Sequence, residues 1–135
     1  MDLMESLMIS AAGMRAQGQR LRVVAENLAN ADSVAEVPGG DPYRRKTISF
    51  KNQLDRELGL ETVQVGKVGE DPSDFRMKYD PGNPAADAKG YVKLPNVNSL
   101  IEMSDMREAQ RSYEANLRAI EVARSMLQRT IDLIR

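Results

Sequence analysis

The densest gathering of residues able to do chemistry is Asp80-Pro81-Gly82-Asn83-Pro84 with Asp87 close behind. A calcium loop wants oxygen ligands at alternate positions, a central Gly and a closing Glu. Here Pro81 and Pro84 break the alternation and no Glu closes it, so the stretch reads as a proline-stiffened turn. Asp71, Asp74, Asp80 and Asp87 also invite a carboxylate-pair hydrolase, one acid protonating a leaving group while another acts as base or nucleophile. Nothing in their spacing brings two together. The chain has no His and no Cys, which removes the usual general base, the thiolate nucleophile and the commonest metal ligands. It carries no G-x-G-x-x-G, P-loop or G-x-S-x-G motif. The expectation is a protein with no catalytic residues, no metal and no cofactor.

Tyr43-Arg44-Arg45-Lys46 is the one basic cluster. With 19 Lys and Arg against 20 Asp and Glu the net charge is -1, so nucleic acid is not an expected partner. Beside Asp41 the three cations read as a solvated face. No apolar run reaches the roughly 20 residues that span a bilayer, and direct membrane insertion is not expected. Asp2 and Glu5 stand where a signal peptide carries positive charge, and Arg15 and Arg20 interrupt any apolar stretch. A cleavable signal is therefore not expected either.

Positions for these residues must come from the ends of the chain. From residue 99 onward no Gly or Pro occurs. Met103, Met106, Gln110, Tyr113, Leu117, Ile120, Arg124, Leu127, Ile131 and Ile134 follow alternating steps of three and four, the seam of a coiled-coil-like helix. Over 99–135 such a helix extends roughly 55 Å, too long for the rest of the chain to cover. Ser99 and Glu102 have the spacing of a capping box. Glu108 with Arg111, Glu114 with Arg118 and Glu121 with Arg124 are placed to pair along the helix. Gln110 and Arg124 interrupt the seam. Either they set register and partner choice, or they lie at its edge with Ala109 and Ala123 turned inward.

The first thirty residues repeat the pattern. Leu3, Leu7, Ser10, Met14, Gln17, Leu21, Val24 and Leu28 form a second seam, and Gly13 and Gly18 join Ser10, Ala11, Ala12 and Ala16 in a patch that admits close approach. Seven of the eight Met lie in the terminal segments, whereas all six Pro lie between Pro38 and Pro95. β-Branched and aromatic residues at 46–50, 62–68, 75–79 and 91–94 predict short strands, with 53–58 a helical turn. The expected fold class is mainly α: long N- and C-terminal helices in a coiled-coil-like pair, 1–31 and 99–135, around a small β-rich and loop insert, 32–98.

Three stretches then resemble a known family. They are Glu26-Asn27-Leu28-Ala29-Asn30-Ala31-Asp32; Tyr79 to Pro84 with Asp87 and Gly90-Tyr91-Val92-Lys93-Leu94-Pro95-Asn96-Val97-Asn98; and Glu102-Met103, Asp105-Met106, Glu108-Ala109 with Arg111 to Leu117. They are similar to bacterial flagellar basal-body rod proteins of the proximal, FlgC type. That family commonly has Pro where Ser99 stands, and many axial proteins have Thr-Pro-Gly where this chain has Asp32-Ser33. The resemblance implies a non-enzymatic subunit of a helical tube that transmits torque, located in the periplasmic rod. It implies export through the flagellar secretion apparatus. The partners implied are copies of itself, other proximal and distal rod subunits, and the adaptor at the rod base. The assembly interface expected is Leu3, Leu7, Met14, Leu21, Val24 and Leu28 of the N-terminal seam, all ten positions of the C-terminal one, and Asp80, Asn96 and Asn98. A generic coiled-coil adaptor or dimerisation module would show the same seams without the turn stretch at 79–98.

Overall fold

The computed structural model describes residues 2–135. Helix α1 spans Leu3–Ala29 and helix α2 spans Ser99–Ile134. Between them lie six strands: β1 Lys46–Thr47, β2 Phe50–Asp55, β3 Leu60–Val65, β4 Gly69–Glu70, β5 Arg76–Tyr79 and β6 Tyr91–Leu94. They form three antiparallel pairs, β1 with β4, β2 with β3 and β5 with β6. The helices hold 27 and 36 residues, less than half of the chain. The fold is therefore α and β together, and the mainly α expectation is corrected. The middle of the chain is a substantial β-rich region in place of a small insert.

The reason is clearest at 53–58. Gln53, Leu54 and Glu57 favour a helix in isolation, yet Phe50 to Asp55 pair residue for residue with Val65 to Leu60. Thr62, Val63 and Val65 are strand formers that require a ladder partner. The Asp55 carboxylate accepts the Glu57 and Leu58 amides, and Gly59, left-handed at φ 65, closes the hairpin. Lys46 to Phe50 is likewise not one strand. Lys46 and Thr47 pair with Glu70 and Gly69, whereas Phe50 already belongs to the next ladder.

By contact the chain forms two compact units. The first comprises Met1–Leu21, Ser49–Lys67 and Arg107–Arg135. In it Ser10, Ala12, Gly13 and Ala16 are the buried positions of α1. Ala12 and Ala16 share a shallow cleft with Thr62 to Val65 of β3. Gly13 lies against Asn116 of α2, where a Cβ would stand 2.9 Å from the side-chain amide. Arg20 meets Glu108 at 3.3 Å, so Glu108 reaches across to α1, where pairing with Arg111 was expected. Numbers rise on α1 as they fall on α2, so within this unit the two segments run antiparallel. Within the small-residue patch Gly13 meets the Asn116 side chain, whereas Gly18 has nothing within 4 Å.

The second unit comprises Arg22–Ile48 and Val68–Met106. Val23, Val24, Ala31, Ala85, Val92 and Val97 are its buried apolar side chains. On β6 the side chains alternate, with Val92 buried while Tyr91 is exposed. Gly90, at φ 84, turns the chain into β6 where a Cβ would press on the Tyr79 ring at 2.9 Å. Tyr79 and Tyr91 then meet edge to face at 5.3 Å.

The two helical glycines separate crowding from propensity. Gly18→Ala meets nothing within 4 Å, so urea unfolding of the full chain should show a gain of about 1 kcal/mol. Gly13→Ala should gain nothing or lose, because Asn116, held by its bond to the Ser112 carbonyl at 2.9 Å, has to move. Equal gains at both positions would mean that the Gly13 contact does not limit packing.

Candidate assembly interface

The polar residues of the second unit converge on Glu102, in the first turn of α2, whose exposure is 0%. Arg45 donates to it through Nε, and Asn27 Nδ2 donates at 3.2 Å. Asn27 is itself 1% exposed. Its Oδ1 accepts the Lys46 amide at 2.9 Å and the Tyr43 hydroxyl at 2.8 Å. Its Nδ2 also donates to the Lys46 carbonyl at 2.9 Å. One side-chain amide thus presents both backbone-like groups to Lys46, as a neighbouring strand would. Asn96 works in the same way: its Oδ1 accepts the Arg45 amide at 2.8 Å and its Nδ2 donates to the Asp71 and Ser73 carbonyls.

The basic cluster is therefore no solvated face. Arg44 stacks on Phe75 at 4.3 Å and donates to the Asp71 and Ser73 carbonyls. Arg45 also lies 3.5 Å from Asp71 and 3.9 Å from Asp105. Lys46 meets Glu26 at 2.5 Å. Burial works to lower the Arg45 pKa, but the Glu102 hydrogen bond and the three surrounding carboxylates outweigh it and raise it. The Ser73 amide and hydroxyl hold Asp71 below its ordinary 3.8, with Arg45 adding to the effect. Burial, then the charges of Glu26, Glu102 and Glu70, push Tyr43 up to about 12.

The start of α2 differs from the expected capping box. Asn98 is the cap, its Oδ1 accepting the Leu100 and Ile101 amides, while Glu102 turns inward to Arg45 and Asn27. The candidate carboxylates serve turns. Asp71 accepts the Ser73 amide at 2.9 Å, and Asp87 accepts those of Lys89 and Tyr91. The Asp80 amide and the Gly90 carbonyl bond at 2.9 Å across the base of their loop. Among the described residues no three acidic, His or Cys side chains gather as metal ligands would.

On the seams, α2 is turned by about one residue from its expected phase. Met106, Tyr113 and Ile120 are part-buried as expected, but Glu102, Ala109, Asn116 and Ala123 take the inward positions beside them. Gln110 and Arg124 are exposed, with Ala109 at 0% and Ala123 at 5% turned in. Met103, Leu117, Leu127, Ile131 and Ile134 are exposed. On α1, Val24 is buried and Leu3, Leu7, Met14, Leu21 and Leu28 are part-buried. In the first unit a groove of about 470 Å³ runs between Leu3 and Ser6 on α1 and Ala115, Ala119, Val122 and Met126 on α2. Leu3 opens α1, and this register sets it beside Val122 to Met126, so residues 128–135 extend past the start of α1. That overhang carries Ile131, Leu133 and Ile134, exposed at 44%, 87% and 80%.

The residues that sequence reasoning missed are Tyr43, Arg45 and Glu102 as one junction. Asn27 and Asn96 were visible only within stretches of family resemblance. No local spacing links Arg45 to a carboxylate on a distant helix.

The family model described as flagellar basal body rod FlgEFG protein C-terminal matches residues 88–133. The chain is 56% identical over 127 residues to the flagellar basal-body rod protein FlgC of Agrobacterium fabrum, covering 94% of this chain and 91% of that protein. It is 44% identical over 135 residues to the protein of that name from Salmonella typhimurium, covering 98% of each. It is 39% identical over 148 residues to that of Bacillus subtilis, covering 98% of this chain and 99% of the relative.

Removing the buried acid should be costly. Glu102→Ala leaves the Asn27 amide and Arg45 short of an acceptor and should lower unfolding free energy by about 3 kcal/mol, measured by urea titration of the full chain. A loss below about 1 kcal/mol would show that the junction relaxes around the deletion. Tyr43 gives an independent readout at high pH. Its raised pKa means that the fold favours the neutral phenol, so this contribution is complete below pH 10.0 and is lost as pH rises toward about 12. Tyrosinate absorbance should show one residue ionising later than the others, and Tyr43→Phe should abolish that late phase.

Proposed function

Because the chain belongs to the FlgC family of flagellar basal-body rod proteins, we propose that it builds the proximal rod by helix-to-helix assembly. It is a structural subunit of the flagellar basal-body rod, not an enzyme. In this reading it joins copies of itself, other proximal and distal rod subunits and the adaptor at the rod base. The product is a helical tube that carries torque across the periplasm. The chain reaches it through the flagellar export apparatus without a cleaved signal.

The observation that carries the reading is the apolar surface left on α2. Leu117, Leu127, Ile131 and Ile134 share one face of α2 and Val122 and Met126 another, and all six are at least 37% exposed, apolar surface of the kind that marks an interaction site. Met103 extends the first of these faces, and the exposed Gln110 and Arg124 place polar groups beside the apolar ones. A helix resists extension along its axis because its hydrogen bonds run that way. Neighbouring helices joined along such stripes pass twist from one subunit to the next without a hinge. Asp80, Asn96 and Asn98 take the supporting part, Asn98 by starting α2 and Asn96 by tying the Arg45 amide to the 71–73 turn. The three-part division, 1–31, 32–98 and 99–135, then separates assembling helices from an outward-facing middle.

Deleting residues 128–135 tests this. A strain whose only copy is the truncated chain should fail to swim and should contain no rod with the chain incorporated. The purified truncation should keep its unfolding free energy within about 1 kcal/mol, because the removed residues are exposed. Normal swimming by the truncated strain would place the assembly contacts elsewhere.

A further inference from the structure

The overhang and the groove of the first unit have matching shapes. On the groove, Ala115, Ala119 and Val122 are spaced four and then three residues apart, and all three are exposed. On the overhang and the residue just before it, Leu127, Ile131 and Ile134 have the same spacing, four then three, and all three are exposed. Two parallel helices offset by about 12 residues, roughly 18 Å along the axis, therefore bring Leu127 onto Ala115, Ile131 onto Ala119 and Ile134 onto Val122. Large side chains meet small ones at the two alanines, which is how close-packed helix contacts are filled. Run antiparallel, the overhang's four-then-three spacing would meet three-then-four, and the positions would fall out of step.

Charge agrees with the parallel register. In parallel helices the residue after a contact position on one helix lies on the same side as the residue before the facing position on the other. Asp132 follows Ile131, and Arg118 precedes Ala119. Arg135 follows Ile134, and Glu121 precedes Val122. Both flanking pairs are opposite in sign. Asp132 is bonded within its own helix only to the exposed Gln128 amide, which an arginine can replace or join. Arg118 lines the groove itself.

We infer that the occupant of the groove between Leu3 and Met126 is the α2 overhang of a second copy of this chain, parallel and axially offset. The contact uses one surface as donor and a different surface as acceptor, so each copy offers a free overhang to one neighbour and a free groove to another. Such a contact propagates and does not close as a dimer. It rests on the rod reading above and adds to it which part of a like subunit fills which surface.

The chain contains no Cys, which makes disulfide mapping direct. Ala119→Cys and Ile131→Cys are combined in one full-length chain, supplied as the only copy in a strain lacking its own FlgC, and basal bodies are oxidised. Within one chain the two thiols sit roughly 18 Å apart on the same helix, far outside the few ångströms between Cα atoms that a disulfide allows. Every bridge is therefore between copies. The expected result is a ladder of multimers beyond the dimer, at least tenfold more abundant than with either single Cys. Dimers that grow no further overturn the inference, as does the absence of cross-links in a strain that swims. Either outcome leaves the rod assignment standing. Should the unmodified chain fail to restore swimming, the rod reading itself falls. The second arm uses charge: Arg118→Asp should reduce swimming at least tenfold, and adding Asp132→Arg should restore it. Equal swimming by Arg118→Asp and the unmodified chain overturns the docking, as does a loss that Asp132→Arg does not relieve.

Discussion

A carboxylate without solvent exposure is stable only while fixed donors surround it, and Glu102 is in that position. Its two hydrogen-bonding partners come from distant parts of the chain, Arg45 from the segment leading into β1 and Asn27 from the last turns of α1. Asn27 in turn holds the Lys46 backbone in the way a strand would, and Asn96 holds the Arg45 amide. The start of α2, the end of α1 and the first strand of the second unit are thus tied by side-chain amides, with little help from a large apolar core. The buried apolar residues here are Val and Ala, and they contribute less area each than Leu or Phe would. A junction of this kind gives conformational definition where hydrophobic burial alone is thin, because each donor and acceptor admits few alternative partners.

The helices were legible in the sequence because their signals are local and repeated. The expected limits of 1–31 and 99–135 lie within a few residues of Leu3–Ala29 and Ser99–Ile134. Their phase was harder to read. Choosing the largest apolar residue at each step selects Met103, Leu117 and Leu127, whereas the chain turns Glu102, Ala109, Asn116 and Ala123 inward. Size misled because Gly13 of α1 stands directly against Asn116, and because Arg45 and Asn27 hold Glu102 inward. The bulky residues displaced to the outside are those an assembling protein has reason to expose.

The middle of the chain was less legible. Gln53 to Leu58 looked helical because each residue is a tolerable helix former, and only the downstream run of Thr62, Val63 and Val65 requires the strand. The basic cluster looked solvated because its partners, Phe75, Glu102 and Glu26, lie far away in sequence. Ser99 and Glu102 matched a capping box by spacing alone, but Asn98, one residue earlier, is the cap, and Glu102 had a stronger claim elsewhere. In all three cases a short-range pattern lost to a long-range partner. Strand 91–94 and the proline-stiffened turn before it emerged as expected, since Gly90 and the prolines act through backbone geometry that needs no distant partner.

Ala115 and Ala119 are exposed on α2, so enlarging them does not disturb the interior of a single chain. Surface changes of that kind usually move stability by less than about 0.5 kcal/mol. A survey of variants by melting temperature would score these sites as freely tolerant. Under the docking proposed above a survey scored by swimming would not, since an added methylene there would push the paired helices apart. For this fold, tolerance measured on the isolated molecule and tolerance measured in the organelle should diverge most where the residues are smallest.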